Sequence, residues 1–149
     1  MDMSLVDKIA DECADLGVRW VLLSGGEAMQ HPEWDTIARR FRQQGIYTML
    51  LTNGLLLRKD AHRLKDSVDE IIVSLDGGTA PTYEAIRGVD AFDLVLDGIR
   101  AVRELGLPVV TRTTVQRQNY HEIPQIIDSA REAGVNRVSF LAVDVDNPH

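Results

Sequence analysis

Two adjacent glycines and a lone acid, Gly25, Gly26 and Glu27, end the hydrophobic run of residues 18–24. A tight turn needs one glycine. Two let a ligand approach the main chain closely, because no Cβ intervenes, and a neighbouring carboxylate suits an ammonium group. The same kind of stop recurs along the chain. Thr52-Asn53-Gly54 ends one apolar run, and Ser74-Leu75-Asp76-Gly77-Gly78 ends the next. A fourth run carries Arg112 and Thr114, with Gln116 and Asn119 beyond it, and the last closes on Ala142-Val143-Asp144. Arg112 is a cation in an otherwise apolar strand. Inside a barrel it requires a carboxylate, with Glu27 and Asp144 as candidates; the other course is the solvent edge of the helices. Ser74 and Arg87 suit a carboxylate, the guanidinium binding it bidentately. Thr52 and Asn53 suit hydroxyls or a carboxylate edge. Together these groups fit a zwitterionic, sugar-bearing ligand. Polar turns also have a simpler origin, since Gly, Asn, Asp and Ser favour turns for backbone reasons. Turn chemistry alone does not ask for Glu27, Ser74 or Arg112.

Such groups need elements to hold them. Apolar spacing predicts a helix over 4–16, with Leu5, Ile9, Cys13 and Leu16 on one face and Gly17 as its stop. Strands are predicted at 18–24, 46–52, 68–76, 107–115 and 135–143. Helices are predicted at 33–44 with Pro32 near the first turn, at 56–66, at 90–106 with Asp90 as N-cap, and at 121–134. Alternating helices and short β-branched strands give an α/β fold with a parallel sheet and right-handed crossovers. A glycine precedes four of the strands, at Gly17, Gly45, Gly106 and Gly134, which favours a repeated half-barrel unit. Periodicity leaves an open Rossmann-like sheet and part of a barrel both standing. In either, ligands bind at the carboxyl ends of the strands, so the polar stops share one rim.

Composition narrows the function classes. The 149 residues, 44% hydrophobic and 26% charged, read as one soluble domain over 1–149. A net charge of −7 argues against nucleic acid or an anionic membrane as partner. No apolar run approaches the roughly 18 residues of a membrane helix, and the acidic, amphipathic start is not a signal peptide, so the expected compartment is the cytoplasm. The single cysteine, Cys13, excludes an internal disulfide and a cysteine-only metal site, and reads as a small core residue. His31 reads as a turn or cap residue and His62 as solvated. His121 and His149 lack metal-ligand spacing. Trp20 and Trp34 read as packing residues, and residues 39–44, RRFRQQ, as a solvated helix face.

Four stretches carry a family resemblance. LSGGEAMQHPEW resembles the GGE motif of radical S-adenosylmethionine (SAM) enzymes, with Ala28 where that family usually has proline. LLTNGLLL resembles their next strand end. VSLDGGTAPTYEAIRGVDAFDLVLDGI is similar to the corresponding stretch of the branch that modifies peptides and builds cofactors, of SPASM-like or molybdenum-cofactor-like type. TTVQRQNYHEIPQII resembles the fifth-strand segment. The likeness runs in order over roughly residues 18–143. It implies a partial (β/α)6 TIM-like barrel, with SAM lying across the strand ends. It implies that Gly25, Gly26 and Glu27 hold the methionine amino group, that Ser74 and Arg87 contact its carboxylate or the ribose, and that the adenine lies near Leu141 and Ala142. Thr52, Asn53, Asp76 and Arg112 complete the candidate SAM site.

The family's Cys-x3-Cys-x2-Cys loop, which holds a [4Fe–4S] cluster, is not in this sequence, and neither is the strand before it. The chain begins on a helix and ends at DVDNPH just after a strand, so it reads as a piece of a larger protein. The implied parent is an enzyme that cleaves SAM to a 5′-deoxyadenosyl radical, for hydrogen abstraction in peptide modification or cofactor biosynthesis. Its cofactors are SAM and a cluster carried by the parent, and its substrate a peptide or cofactor precursor. The chain alone is expected to be inactive, and to self-associate through the open edge of its first strand. The competing readings are a non-catalytic nucleotide-binding α/β module and a phosphate-binding barrel enzyme.

Overall fold

A computed structural model describes residues 2–142. In chain order the elements are α1 (Met3–Asp15), β1 (Trp20–Leu23), α2 (Trp34–Gln43), β2 (Tyr47–Thr52), α3 (Leu57–Leu64), β3 (Glu70–Ser74), α4 (Ala80–Arg87), α5 (Phe92–Glu104), β4 (Val109–Val115), α6 (Ile123–Glu132) and β5 (Arg137–Ala142). Short 3-10 turns lie at Ala28–Gln30 and Tyr120–Glu122.

The five strands form one parallel sheet in the order β1-β2-β3-β4-β5. An open doubly wound sheet reverses its strand order at a switch point; this one never does. Right-handed crossovers that always step the same way put every helix on one face. The arrangement is an arc of a (β/α) barrel, which resolves the choice the sequence left open.

Alternation along each strand sorts the side chains. Leu50, Ile71, Val73 and Val109 join the main core against α2–α6. Their neighbours Met49, Ile72, Ser74, Val110 and Arg112 therefore face the concave side. A second core, of Val6, Ala10, Phe41 and Ile46, fixes α1 to α2. Arg40 adds bonds to Asp7 (2.7 Å) and Asp11 (2.6 Å) across the same contact.

Several sequence expectations need correction. The buried face of α1 is Val6 and Ala10, with Met3, Ile9 and Cys13 half-buried against them; Leu5 and Leu16 are exposed. The spacing Met3, Val6, Ala10, Cys13 follows the helix period as well as the predicted set, and α2 selects it. The helix α4 was not expected. Pro81 sits in its first turn and Gly88, at φ 71°, ends it in the left-handed conformation. Its Tyr83 is buried against Phe92, with ring centroids 5.8 Å apart. That contact also moves the start of α5. The helix begins at Phe92 behind Ala91, both buried, and Asp90 does not cap it.

Trp34 is a packing residue, but Trp20 is 61% exposed on the outer strand. The basic run is not a solvated face either. Arg42 pairs with Asp69 at 3.0 Å. Arg39 and Arg63 both bond the buried Asp35, and Arg63 lies over the Trp34 ring at 5.0 Å. Burial alone would raise the Asp35 carboxyl; the bonds from Arg63 and Arg39 outweigh it and hold it below its ordinary value.

Candidate functional site

The expected rim exists at the carboxyl ends of the strands. Beyond β1, Gly25 has φ 153°, which a residue with a Cβ rarely adopts. A Cβ placed at Gly25 or Gly26 would meet no atom within 4 Å, so both glycines face open space. The second glycine pair is different. A Cβ at Gly77 would lie 2.4 Å from the Tyr83 nitrogen, and one at Gly78 would lie 2.6 Å from Gln125 and 2.7 Å from the Ile126 nitrogen. Gly77 and Gly78 are there for packing against α4 and α6.

Glu27 caps the 3-10 turn that follows it. Its Oε1 accepts from the Met29 amide (3.1 Å) and the Thr52 hydroxyl (2.8 Å), and its Oε2 from the Asn53 amide (2.7 Å). The buried Thr52 oxygen in turn accepts from Gly54, and the Asn53 side chain accepts from Leu55. Glu27, Thr52 and Asn53 thus form one joint between the ends of β1 and β2.

Asp76 does the same between β3 and β4. One of its oxygens accepts from the Thr114 amide (2.7 Å), and the other pairs with Arg87 (3.1 Å). Asn119, fully buried, donates to the Asp76 and Thr114 carbonyls and accepts from the Gln116 amide. Glu122 accepts from Gly78, Thr79 and Thr82, fastening the β3 loop to α4 and to the turn before α6. Burial would raise the Glu122 carboxyl; the bonds from Thr82, Gly78 and Thr79 outweigh it and lower it. Glu122 was not among the expected rim residues. Its contacts join segments some forty residues apart in sequence, and no local spacing announces them.

Ser74 and Arg112 are register partners on β3 and β4, and Arg112 is the register partner of Ser139 on β5. All three alternate onto the concave face. Leu141 stands one pair further along, opposite Thr114, and is exposed. Ser139 was missed, although the alternation of Arg137, Ser139 and Leu141 contains it. The Arg112 Nε is buried and has no hydrogen-bond partner among the described residues. The carboxylate of Glu27, one of its two expected partners, is committed elsewhere; the other, Asp144, lies outside the described residues, as does Val143.

Other expected features have plain roles. His31 Nδ1 accepts from the Glu33 amide, which is a turn role. Cys13 is half-buried on α1. A cavity of about 470 Å³ opens at the opposite, N-terminal mouth of the sheet, lined by Arg19, Trp20, Tyr47, Met49, Glu70 and Arg137. In barrels that end carries stability more than chemistry, and the Arg137–Glu70 pair (3.1 Å) crosses it. No helix among the described residues is long and apolar enough to cross a membrane.

The donor set separates two cofactors. A [4Fe–4S] cluster takes thiolate ligands. The chain has one cysteine, and no three His, Cys, Asp or Glu residues gather among the described residues. These residues do not fit a cluster. Toward a zwitterion such as SAM they offer a glycine turn open to a ligand beyond β1 and, on the concave face of β4, a guanidinium with an unmet bond.

Comparison with known proteins identifies the family. A probable GTP 3′,8-cyclase of Saccharolobus solfataricus is 36% identical over 143 residues, covering 94% of this chain and 46% of that protein. An AdoMet-dependent heme synthase of Methanosarcina barkeri is 36% identical over 127 residues, covering 83% of this chain and 36% of that protein. The chain thus spans about half or less of the length of these relatives. Among solved structures, SuiB of Streptococcus suis, in a crystal bound to S-adenosylmethionine, superposes with a TM-score of 0.82 at 21% identity, over 96% of this chain and 34% of that one. The family model described as the radical SAM superfamily matches residues 1–130. On that match the chain belongs to the radical SAM superfamily.

Proposed function

We propose that residues 1–149 are the SAM-binding part of a longer cytoplasmic radical SAM enzyme, acting in peptide modification or cofactor biosynthesis. One observation carries the reading: the Arg112 guanidinium holds an unmet bond on the concave face, in register with Ser74. A buried N–H without a partner is costly, and a ligand carboxylate that accepts from it removes that cost. The two relatives named for GTP cyclisation and heme synthesis support the cofactor-building branch. SuiB, also crystallised with its precursor peptide SuiA, supports the fold alone at that identity.

When bound, SAM supplies the adenosyl group that the family uses for hydrogen abstraction. The residues here bind and orient it. Gly25 and Gly26 admit the amino-acid end to the main chain. Ser74 and Arg112 face its carboxylate, and Arg87 is held by Asp76. Thr52 and Asn53 are tied to Glu27, and Leu141 offers an apolar surface to the adenine. This chain lacks the thiolates for a cluster, so it binds without reacting.

The test is calorimetry with S-adenosylhomocysteine, together with incubation of the purified chain with SAM under reducing conditions. The ligand is expected to bind, and Ser74→Ala to weaken it about fivefold for one lost hydrogen bond. The preparation is expected to be colourless and to leave SAM intact. A brown, iron-loaded preparation that converts SAM to 5′-deoxyadenosine sinks the inactive reading, and no binding sinks the site.

We also propose that the chain self-associates through β1. Among the described residues the strand pairs only with β2, and its Trp20 is exposed. Open strand edges invite pairing with another chain. Sedimentation velocity is expected to show mass rising with concentration; a single monomeric species across the range counts against it.

A further inference from the structure

We infer that Glu122 is a positioning residue of the ligand site: it holds the amino end of α4 so that Arg87, at the other end of that helix, stands where Asp76 pairs with it. The inference rests on the SAM reading above, in which Arg87 belongs to the site. Glu122 lies on the 3-10 turn before α6, and its amide donates to the carbonyl of the fully buried Asn119 (2.9 Å). Its carboxylate reaches across to the β3 loop. One oxygen accepts from the Gly78 amide (3.0 Å), and the other from the hydroxyls of Thr79 (3.1 Å) and Thr82 (2.6 Å). Thr79 is the N-cap of α4, yet its side chain makes no cap bond within the helix. A threonine there ordinarily accepts from an amide of the first turn. Here the hydroxyl donates to Glu122 instead, and a carboxylate from another segment stands at the amino end of the helix, where negative charge is favoured.

The position of Arg87 depends on that hold. α4 is eight residues long, about 12 Å, and Tyr83 is its one buried side chain. A helix seated at one point can pivot about it; a second fixed point removes that freedom. Glu122 supplies the second point at one end, and the Arg87–Asp76 pair (3.1 Å) closes the other. Asp76 is itself fixed: one of its oxygens accepts from the Thr114 amide, and its carbonyl accepts from Asn119. The segment from Thr114 to Glu122 therefore grips both members of the pair, Asp76 directly through Thr114 and Asn119, and Arg87 through Glu122 and α4. A guanidinium fixed before the ligand arrives loses less freedom on binding, which strengthens binding.

The test is a double-mutant cycle read by calorimetry with S-adenosylhomocysteine. Glu122→Ala is expected to weaken binding about fivefold, and Arg87→Met about tenfold, as for a lost hydrogen bond to a charged group. The double variant is expected to bind about as weakly as Arg87→Met alone, because the first change acts through the second residue. Glu122→Gln is expected to restore most of the affinity, since its amide oxygen can accept from Gly78 and its amide nitrogen can donate to the threonine hydroxyls. Thr82→Val, a smaller change, is expected to give the same non-additive pattern more weakly. Independent losses that multiply in the double variant, or an Arg87→Met protein that binds normally, overturn the inference. Amide hydrogen exchange on the ligand-free chain gives a second readout. In Glu122→Ala, protection is expected to fall at Gly78 and also at Gly88, at the far end of α4, whose amide donates to the Glu84 carbonyl (2.8 Å). It is expected to be unchanged at Leu75, whose amide donates to the Arg112 carbonyl across the sheet (3.0 Å). A loss confined to Gly78 makes Glu122 a clasp of the loop alone and overturns the inference. If the unmodified chain does not bind, the SAM reading fails and the site role with it, while the hold of Glu122 on α4 is still decided at Gly88.

Discussion

Replacing Arg112 with methionine is expected to raise the melting temperature of the protein while removing most of its affinity for S-adenosylhomocysteine. The two effects share one cause. In the ligand-free fold the Arg112 Nε is buried and unpartnered among the described residues. Enclosing such a group without a bond costs about 1–3 kcal/mol. Methionine keeps an unbranched chain of similar reach and removes the unmet donor, so that cost disappears. For a chain of 149 residues, each kcal/mol is worth about 2–4 °C. In the proposed site the ligand meanwhile loses the cation facing its carboxylate. Loss of a hydrogen bond to a charged group costs about 1.5–3 kcal/mol, or at least about tenfold in affinity. Differential scanning fluorimetry and calorimetry on the same sample read both. A residue serving the fold alone moves the other way: a lower melting temperature with unchanged binding refutes the assignment. A rise in stability paid for in function is the usual mark of a binding site.

The two glycine pairs are expected to part company when each is given a methyl group. Gly77→Ala is expected to destabilise the protein by about 3 kcal/mol or more, since its Cβ would stand 2.4 Å from a main-chain nitrogen that cannot yield without moving α4. Gly26→Ala is expected to change stability by less than about 1 kcal/mol, because its Cβ meets nothing and its φ is not restrictive. It is expected to weaken S-adenosylhomocysteine binding clearly, because the methyl group then occupies the ligand's approach. Urea unfolding measures the stability change at both positions and calorimetry the binding change at Gly26. Equal stability losses at Gly26 and Gly77 would show that the first turn is also a packing device.

The sequence shows these glycine pairs as the same two letters, and nothing local distinguishes them. What separates them is the presence of α4 and α6 behind one and open space before the other. That difference marks how far the sequence could be read. Strand positions and the common rim were legible because they depend on alternation and turn residues within a few positions. Ser74, Arg112 and Leu141 fall on the concave face as the alternation requires. The choice of barrel over open sheet was not legible, since it resides in strand order. Nor was the commitment of Glu27 to β2, of Asp76 to Arg87 and Thr114, or of Glu122 to Gly78, because each joins segments that only the crossovers bring together. The helix α4 escaped because its eight residues are short for a clear period, with Tyr83 alone fully buried on it. Trp20 was misjudged because residue type gives burial only for a strand with neighbours on both sides, and β1 is an outer strand.

The unbroken strand order has a consequence for how the chain is assembled. Each strand pairs only with those adjacent to it in sequence, so the sheet can grow in the order of synthesis. No strand must be inserted between two already joined. The shortest closure, between Met49 and Glu70, and the longest, between Ile71 and Val109, differ by only about 0.5 kcal/mol in loop entropy. No pairing is therefore entropically out of reach of its predecessor. The longest is the one that must also lay down α4 and α5, and it is the closure that brings Ser74 and Arg112 side by side. The fold can thus accumulate unit by unit from the amino-terminal side, with the proposed ligand site completed only after β3 and β4 have met.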